Sequence, residues 1–131
     1  MPMSADFALV DTNVLVYSLL TTDPRHAASR ALVERAQDGS EQLCVTPPVV
    51  SELFSVITNP RQVTTPYTAE EALEEVTNFL TLPGLALLPV PTDIVDRWMA
   101  LVRATPVTGP DIFDFQIAAT MLGNGVSRIY T

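Results

Sequence analysis

The sequence has no lysine, one cysteine and one histidine, and its 131 residues carry 7 basic residues, all arginine, against 15 acidic ones. The net charge of -8 excludes binding of nucleic acid through an overall basic field. The absence of lysine excludes Walker-type phosphate loops, Schiff-base enzymes and receiver domains, because each of these requires a lysine. A single cysteine, Cys44, cannot form an internal disulfide, so we expect a reducing, cytoplasmic environment.

Long apolar runs are also missing. No stretch approaches the roughly 18 residues that a membrane span requires, and the start, MPMSADFALVD, lacks the basic region of a signal peptide. Hydrophobic residues still make up 47% of the chain, which excludes a disordered acidic tail and is enough for one buried core. We therefore expect a single domain over residues 1–131, with no membrane partner.

Short apolar runs alternate with longer helical patterns along the chain. This alternation favours an α/β sandwich built around a mainly parallel sheet. Strands are predicted at Phe7–Val10, Leu43–Val45, Leu85–Val90 and Ser127–Tyr130. Helices are predicted at about Val14–Leu20, His26–Gln37, Pro47–Thr58, Thr68–Leu80, Asp93–Arg103 and Phe113–Gly123.

Asp11 ends the first predicted strand. The cleft of a parallel α/β sheet lies beyond the carboxyl ends of its strands, so this carboxylate is a candidate functional group. The alternative is that Asp11 caps the helix that follows. Asn13 is able to supply that cap and would leave Asp11 to face the cleft.

Two further carboxylates lie on predicted helices. Glu52 falls beside Val49 and Val56, at the edge of the buried face, where a carboxylate needs a partner or loses its charge. Asp114, in the first turn of the last helix, is predicted to point toward the sheet, where the positive end of the helix dipole favours its ionised form. A salt-bridged or snorkelling Glu52 and a capping Asp114 are the structural alternatives.

Carboxylates that converge on one cleft repel one another, and a divalent cation removes that conflict. Asp111, three residues before Asp114, either joins the same cleft or caps the loop after Pro110. Oxygen ligands with no histidine or cysteine among them favour Mg²⁺ or Mn²⁺ over Zn²⁺. We interpret His26 as a surface or packing residue of its helix.

The ordered set of motifs resembles PIN-domain proteins and, more narrowly, ribonuclease toxins of the VapC type. The similar segments run from the first strand to the last residue. They are Val10-Asp11-Thr12-Asn13-Val14-Leu15, Ser51-Glu52-Leu53, Phe113-Asp114-Phe115-Gln116-Ile117-Ala118-Ala119-Thr120, Asn124-Gly125-Val126 and Ile129-Tyr130-Thr131. The resemblance implies an α/β/α sandwich with four or five strands and a metal-dependent endoribonuclease.

The resemblance also implies roles for individual residues. Asp11, Glu52 and Asp114 match the family's catalytic acids, with Mg²⁺ or Mn²⁺ held by Asp11 and Asp114 and with Glu52 holding the metal through water or activating that water. Thr12 and Asn13 match the polar residues that support the first acid. Thr131 matches the threonine that ends the last strand, after which the family usually has a fourth acid. This sequence stops at Thr131, and Asp111 is its nearest substitute.

The implied reaction is an in-line attack of water on phosphorus. Since the net charge repels RNA, contact with the substrate must be local, and Arg61 and Arg25 are the candidates for it. The implied partners are an RNA substrate, a cognate antitoxin that covers the acidic pocket, and a second copy of the chain. The apolar helix face around Trp98 is interpreted as core, part of which could serve a homodimer.

Two other functions remain open from the sequence. A non-catalytic PIN-like module would keep the fold and bind RNA or a partner without cutting. Another Mg²⁺-dependent phosphohydrolase would act on small phosphates, but a phospho-aspartate mechanism needs an Asp-x-Asp motif and a lysine, whereas this chain has Asp11-Thr12-Asn13 and no lysine.

Overall fold

The computed structural model describes residues 7–131. In this part of the chain, four short strands alternate with six α-helices. The strands are β1 (Ala8–Val10), β2 (Leu43–Val45), β3 (Leu85–Leu87) and β4 (Arg128–Tyr130). The helices are α1 (Thr12–Leu19), α2 (His26–Asp38), α3 (Pro47–Thr58), α4 (Ala69–Leu80), α5 (Ile94–Ala104) and α6 (Ile112–Gly123), the last preceded by a 3-10 turn at Gly109–Asp111.

The four strands form one parallel sheet in the order β3-β2-β1-β4. Leu9, in the centre of β1, lies opposite Cys44 of β2 and Ile129 of β4. The predicted α/β sandwich is therefore confirmed, with four strands among residues 7–131. Because all strands run the same way, their carboxyl ends share one edge, and the residues that follow β1, β2 and β4 meet there.

The two faces of the sheet bury unequal amounts of apolar surface. Helices α1 to α4 cover one face, and sixteen buried residues, including Val10, Leu15 and Leu53, form its core. On the other face the buried cluster has four members: Leu9, Cys44, Leu88 and Val126. Helix α5 has no buried residue, so the face around Trp98, predicted to be core, is only half-buried. The α5–α6 side of the sheet therefore buries fewer apolar residues than the side covered by α1 to α4.

Local capping interactions fix the ends of three helices. Thr68 and Glu71 form a capping box at the start of α4, with hydrogen bonds of 2.9 and 3.1 Å. Gly39 ends α2 in the left-handed conformation, at a φ of 81°. Proline at the first position of α3 follows Thr46, whose hydroxyl accepts a hydrogen bond from the Val49 backbone N–H.

Two element boundaries differ from the predicted ones by two residues or more. Helix α1 begins at Thr12, not Val14, which puts Asp11 in the N-cap position. Strand β3 ends at Leu87, not Val90, because the Leu88 N–H makes the last bond to β2, to the Val45 carbonyl, and the following Pro89 has no N–H to donate. Cys44 is fully buried, and desolvation raises the pKa of its thiol to about 11. No helix among residues 7–131 is long and apolar enough to cross a membrane.

Candidate active site

The carboxyl edge of the sheet gathers three polar residues, each of which follows a strand. Asp11 directly follows β1, Thr46 directly follows β2 and Thr131 directly follows β4. The backbone N–H of Asp11 donates a 2.9 Å hydrogen bond to the Tyr130 carbonyl, which ties the ends of β1 and β4 together. This edge is the candidate site.

The side chain of Asp11 is not used as a helix cap. Its backbone occupies the N-cap position of α1, with φ -71° and ψ 153°, but its carboxylate makes no capping hydrogen bond. Asn13 lies inside the first turn of α1 and is exposed, so the prediction that it supplies the cap is wrong. The half-buried Asp11 carboxylate is thereby left to bind something other than its own helix.

Glu52 is joined to the first turn of α1 by a side-chain hydrogen bond. The hydroxyl of Thr12 donates to Glu52 Oε2 at 3.2 Å, and Thr12 itself is only 1% exposed. Glu52 is an exposed residue, and the partner that its position beside Val49 and Val56 was expected to require is Thr12. The contact places Glu52 beside the residue that follows Asp11.

The sequence does not predict the contact between Thr12 and Glu52. The resemblance implies only that Thr12 supports the first acid, Asp11. The sequence does contain a signal for this contact. Thr12 is a small polar residue close after a buried strand, and Val14 and Leu15, which follow it in the same helix, are core residues. Such a hydroxyl needs a partner once it is buried. The sequence alone does not show that α3 supplies that partner, since 40 residues separate Thr12 from Glu52.

Asp114 and Asp111 are placed differently from the expectation. Both are exposed, so the prediction that Asp114 points away from water is wrong. Asp111 occupies the N-cap position of α6 without a side-chain capping bond. Among residues 7–131, no three side chains of Asp, Glu, His or Cys come together closely enough to hold a metal ion. The structure therefore brings Asp11, Thr12 and Glu52 to one edge but does not close a three-acid cluster with Asp114.

Helix α6 nevertheless reaches the same edge of the sheet. Gln116, Ile117 and Thr120 line a small cavity of about 50 Å³ together with Thr46 and Pro48, at the end of β2 and the start of α3. Ile117 packs against both buried clusters. The first half of α6, which carries Asp114, is thus held against the carboxyl edge of β2.

The two arginines predicted to contact a substrate differ in availability. Arg25 makes two hydrogen bonds of 3.0 Å to the carboxylate of Asp23 and lies 3.8 Å from the ring centre of Tyr17. These hydrogen bonds lower the pKa of Asp23 and raise that of Arg25, so the charge of Arg25 is already paired. Arg61 is exposed, and its backbone N–H bonds to the Asn59 side chain in a tight turn.

The donor atoms at this edge suit a hard divalent cation. Carboxylate oxygens of Asp11 and Glu52 are the ligands that Mg²⁺ and Mn²⁺ prefer, and Mg²⁺ is commonly held by one or two carboxylates plus waters and substrate phosphates. Softer ligands are not available: Cys44 is buried in the core, and His26 Nδ1 lies 2.9 Å from the Tyr17 carbonyl. The hydrogen bond confirms that His26 has a packing role.

Comparison with known proteins gives consistent results. The PIN domain family matches residues 8–131. Ribonuclease VapC24 of Mycobacterium tuberculosis strain H37Rv is 33% identical over 124 residues, which cover 93% of this chain and 83% of that protein. VapC ribonuclease Mb2897 of Mycobacterium bovis is 33% identical over 122 residues, or 90% of this chain and 80% of that protein.

Two crystal structures share the fold at low sequence identity. VapC20 of Mycobacterium tuberculosis, described as a toxin that cleaves the sarcin-ricin loop, superposes with a TM-score of 0.66 at 18% identity, over 95% of this chain and 88% of that one. VapBC2 from Rickettsia felis, bound to a DNA fragment from their promoter, gives a TM-score of 0.60 at 13% identity, over 95% and 86%.

Proposed function

Because the chain belongs to the PIN-domain family, we propose that it is a metal-dependent endoribonuclease and the toxin of a toxin–antitoxin pair. Its relatives at 33% identity are named VapC ribonucleases. The observation that carries the proposal is the hydrogen bond from Thr12 to Glu52, which holds a second carboxylate beside the residue that follows Asp11, at the carboxyl edge of the sheet.

We assign the metal to Asp11 and Glu52, with Asp114 as the third acid. When bound, Mg²⁺ or Mn²⁺ would polarise the phosphodiester and offset the charge that develops on the departing oxygen. Glu52 Oε2 accepts a hydrogen bond from the Thr12 hydroxyl, which leaves Oε1 to accept a proton from the attacking water. Thr12 orients that carboxylate. Thr131 and Asn13, both exposed at the same edge, are the polar residues proposed to support Asp11.

The proposed partners are an antitoxin and a second copy of the chain. The net charge of -8 and the acids at the candidate site favour an antitoxin segment that carries arginine. Helices α5 and α6 leave Val95 and Leu122 each more than half exposed, and these apolar side chains support association of two copies. Sedimentation velocity of the isolated chain tests the homodimer. We place the protein in the cytoplasm, in keeping with its one buried, unpaired cysteine.

Cleavage of total cellular RNA tests the proposed activity. The wild-type chain should cleave in Mg²⁺ or Mn²⁺ and stop when EDTA is added. Glu52→Gln keeps the size of the side chain and removes its charge, and we expect it to lower the cleavage rate by at least about tenfold, in the range of lost general acid–base catalysis. Glu74→Gln, an exposed glutamate of α4, is the matched control and should cleave like wild type.

The outcomes separate the alternatives. RNA binding without cleavage in either metal would support a non-catalytic PIN-like module. Hydrolysis of small phosphate esters with no effect on RNA would support a phosphohydrolase. A Glu52→Gln chain that cleaves at the wild-type rate would contradict the role assigned to Glu52.

Thr12→Val tests the positioning of Glu52. Valine has nearly the shape of threonine but no hydroxyl, so Glu52 loses the donor that fixes Oε2. Residues that hold metal-binding groups typically contribute about 10–100-fold to activity, and we expect a loss in that range. Thr12→Ser retains the hydroxyl and should recover most of the rate. If Thr12→Val and Thr12→Ser cleave equally well, Thr12 does not position Glu52.

A further inference from the structure

Phe113 is the most exposed of the large apolar side chains described in residues 7–131. It lies in the first turn of α6 and is 63% exposed. Burial of a phenylalanine ring stabilises a fold, and this fold leaves most of the ring in water. The residue is therefore not explained by packing of its own chain.

The position of Phe113 connects it to the candidate site. Gln116, Ile117 and Thr120 follow it at spacings of three, four and seven residues, so all four lie on one face of α6. Those three residues line the small cavity that also contains Thr46, at the carboxyl end of β2. Phe113 is one turn further toward the start of the helix, on the same face, and the next residue is Asp114.

The charges around Phe113 favour a nucleobase over a phosphate. Asp111 and Asp114, both exposed, flank it in sequence and repel phosphate groups. The amino group of a nucleobase, by contrast, donates hydrogen bonds that carboxylates accept. Base–aromatic stacking depends on a π-face and not on charge, so the acids do not weaken it as they weaken a phosphate contact.

The chain has few basic groups to attract a phosphate backbone. It has no lysine, and among the residues that the structure describes Arg25, Arg30, Arg35 and Arg97 form ion pairs with acids. A contact that does not depend on positive charge would therefore add to RNA affinity. An exposed aromatic ring beside a proposed catalytic acid supplies such a contact.

We propose that Phe113 is a stacking platform for a nucleobase of the single-stranded RNA substrate. The inference rests on the proposed ribonuclease function and adds a substrate-binding residue to it. In this arrangement, a flat, uncharged base stacks on the Phe113 ring and the backbone phosphates lie away from Asp111.

Binding in the absence of metal tests the platform without cleavage. Wild type and variants are titrated into fluorescein-labelled single-stranded RNA in EDTA, with fluorescence anisotropy as the readout. Phe113→Ala should weaken binding about tenfold, within the range of one lost stacked base. Phe113→Leu, which stays apolar but has no π-face, should weaken it nearly as much. Phe113→Trp should bind at least as tightly as wild type.

Two controls keep the result specific. Leu73→Ala removes another exposed apolar side chain, 58% exposed, from α4 and should leave RNA affinity unchanged. An abasic oligonucleotide of equal length and charge should bind wild type and Phe113→Ala equally, because it has no base to stack. Circular dichroism checks that each variant is folded, which the exposure of Phe113 leads us to expect.

Other occupants of this surface give different results. If Phe113→Ala leaves RNA affinity unchanged but weakens binding of an arginine-rich peptide or abolishes a dimer in sedimentation, the ring contacts protein and the inference is wrong. An equal loss on the abasic oligonucleotide would also overturn it. Failure of the proposed function is distinguishable, since it appears as a wild-type chain that does not cleave RNA in Mg²⁺ or Mn²⁺, whatever Phe113 does to binding.

Discussion

Asp11→Asn is expected to lower metal-dependent RNA cleavage by at least about 100-fold while leaving the fold intact. Residues that merely support metal ligands contribute about 10–100-fold, so loss of a direct ligand should reach or exceed the upper end of that range. Asparagine keeps the shape of the side chain and removes its charge. The rate of RNA cleavage in Mn²⁺, measured with protein in excess, reports the effect.

The fold should tolerate this substitution because of how Asp11 is held. Its backbone N–H bonds to the Tyr130 carbonyl, and that bond is present whatever the side chain is. Its carboxylate makes no capping bond to α1, so no helix-end interaction is lost. The thermal midpoint should stay within a few degrees of wild type, in line with a change that removes no packing.

Metal binding gives a second readout that does not depend on cleavage. A ligand that binds only the folded state raises its stability, so added Mn²⁺ should raise the thermal midpoint of wild type. The same addition should have little effect on Asp11→Asn. Asp96→Asn, which removes one exposed charge from the first turn of α5, is the matched control and should behave like wild type in both assays. If Asp11→Asn cleaves normally and responds to Mn²⁺, Asp11 is not a metal ligand.

A local signal in the sequence predicted the strand that positions Asp11. The apolar run that ends at Val10 acts within a few residues, and the structure confirms the strand there. The carboxyl-edge location of Asp11 followed from strand direction alone. Because β1 pairs in parallel with β2 and β4, the residues that follow these strands lie at one edge of the sheet, as predicted.

The orientation of Glu52 and Asp114 could not be predicted in the same way. Glu52 depends on how α3 lies against α1, and that arrangement is set by packing between segments 40 residues apart. Helix α6 is apolar on nearly all sides, with Phe113 on one face and Phe115 and Leu122 on the opposite one, so its periodicity does not show which side meets the sheet. The sequence therefore identified the acids but not which of them are brought together.

Gly84→Ala is expected to destabilise the fold by about 3 kcal/mol, at the upper end of what overpacking a buried site typically costs. Gly84 is buried just before β3, where a Cβ atom would lie 2.6 Å from the Ala36 carbonyl oxygen and closer still to that of Glu41. Both obstacles are backbone atoms, so no side-chain rotation relieves the clash. Chemical denaturation, with the free energy of unfolding compared between variant and wild type, measures the effect.

The backbone of Gly84 also joins two elements that would have to move apart. Its N–H donates to the Ala36 carbonyl at 2.8 Å, and its carbonyl accepts from the Leu43 N–H at 2.6 Å. A displaced Gly84 would weaken the link between the end of α2 and the start of β2. The loss should therefore appear in the free energy of unfolding of the whole domain, not as fraying of one loop.

Gly39→Ala separates this steric effect from backbone strain. Gly39 has a φ of 81°, and a Cβ atom added there would have no neighbour within 4 Å, so alanine meets only the left-handed backbone penalty of about 1 kcal/mol. Equal destabilisation of the two variants would show that the close approach at Gly84 is not what limits stability. Because Gly84 precedes β3 at the amino edge of the sheet, opposite Asp11, the folded fraction of Gly84→Ala should still cleave RNA at the wild-type rate at low temperature, the reverse of the result expected for Asp11→Asn.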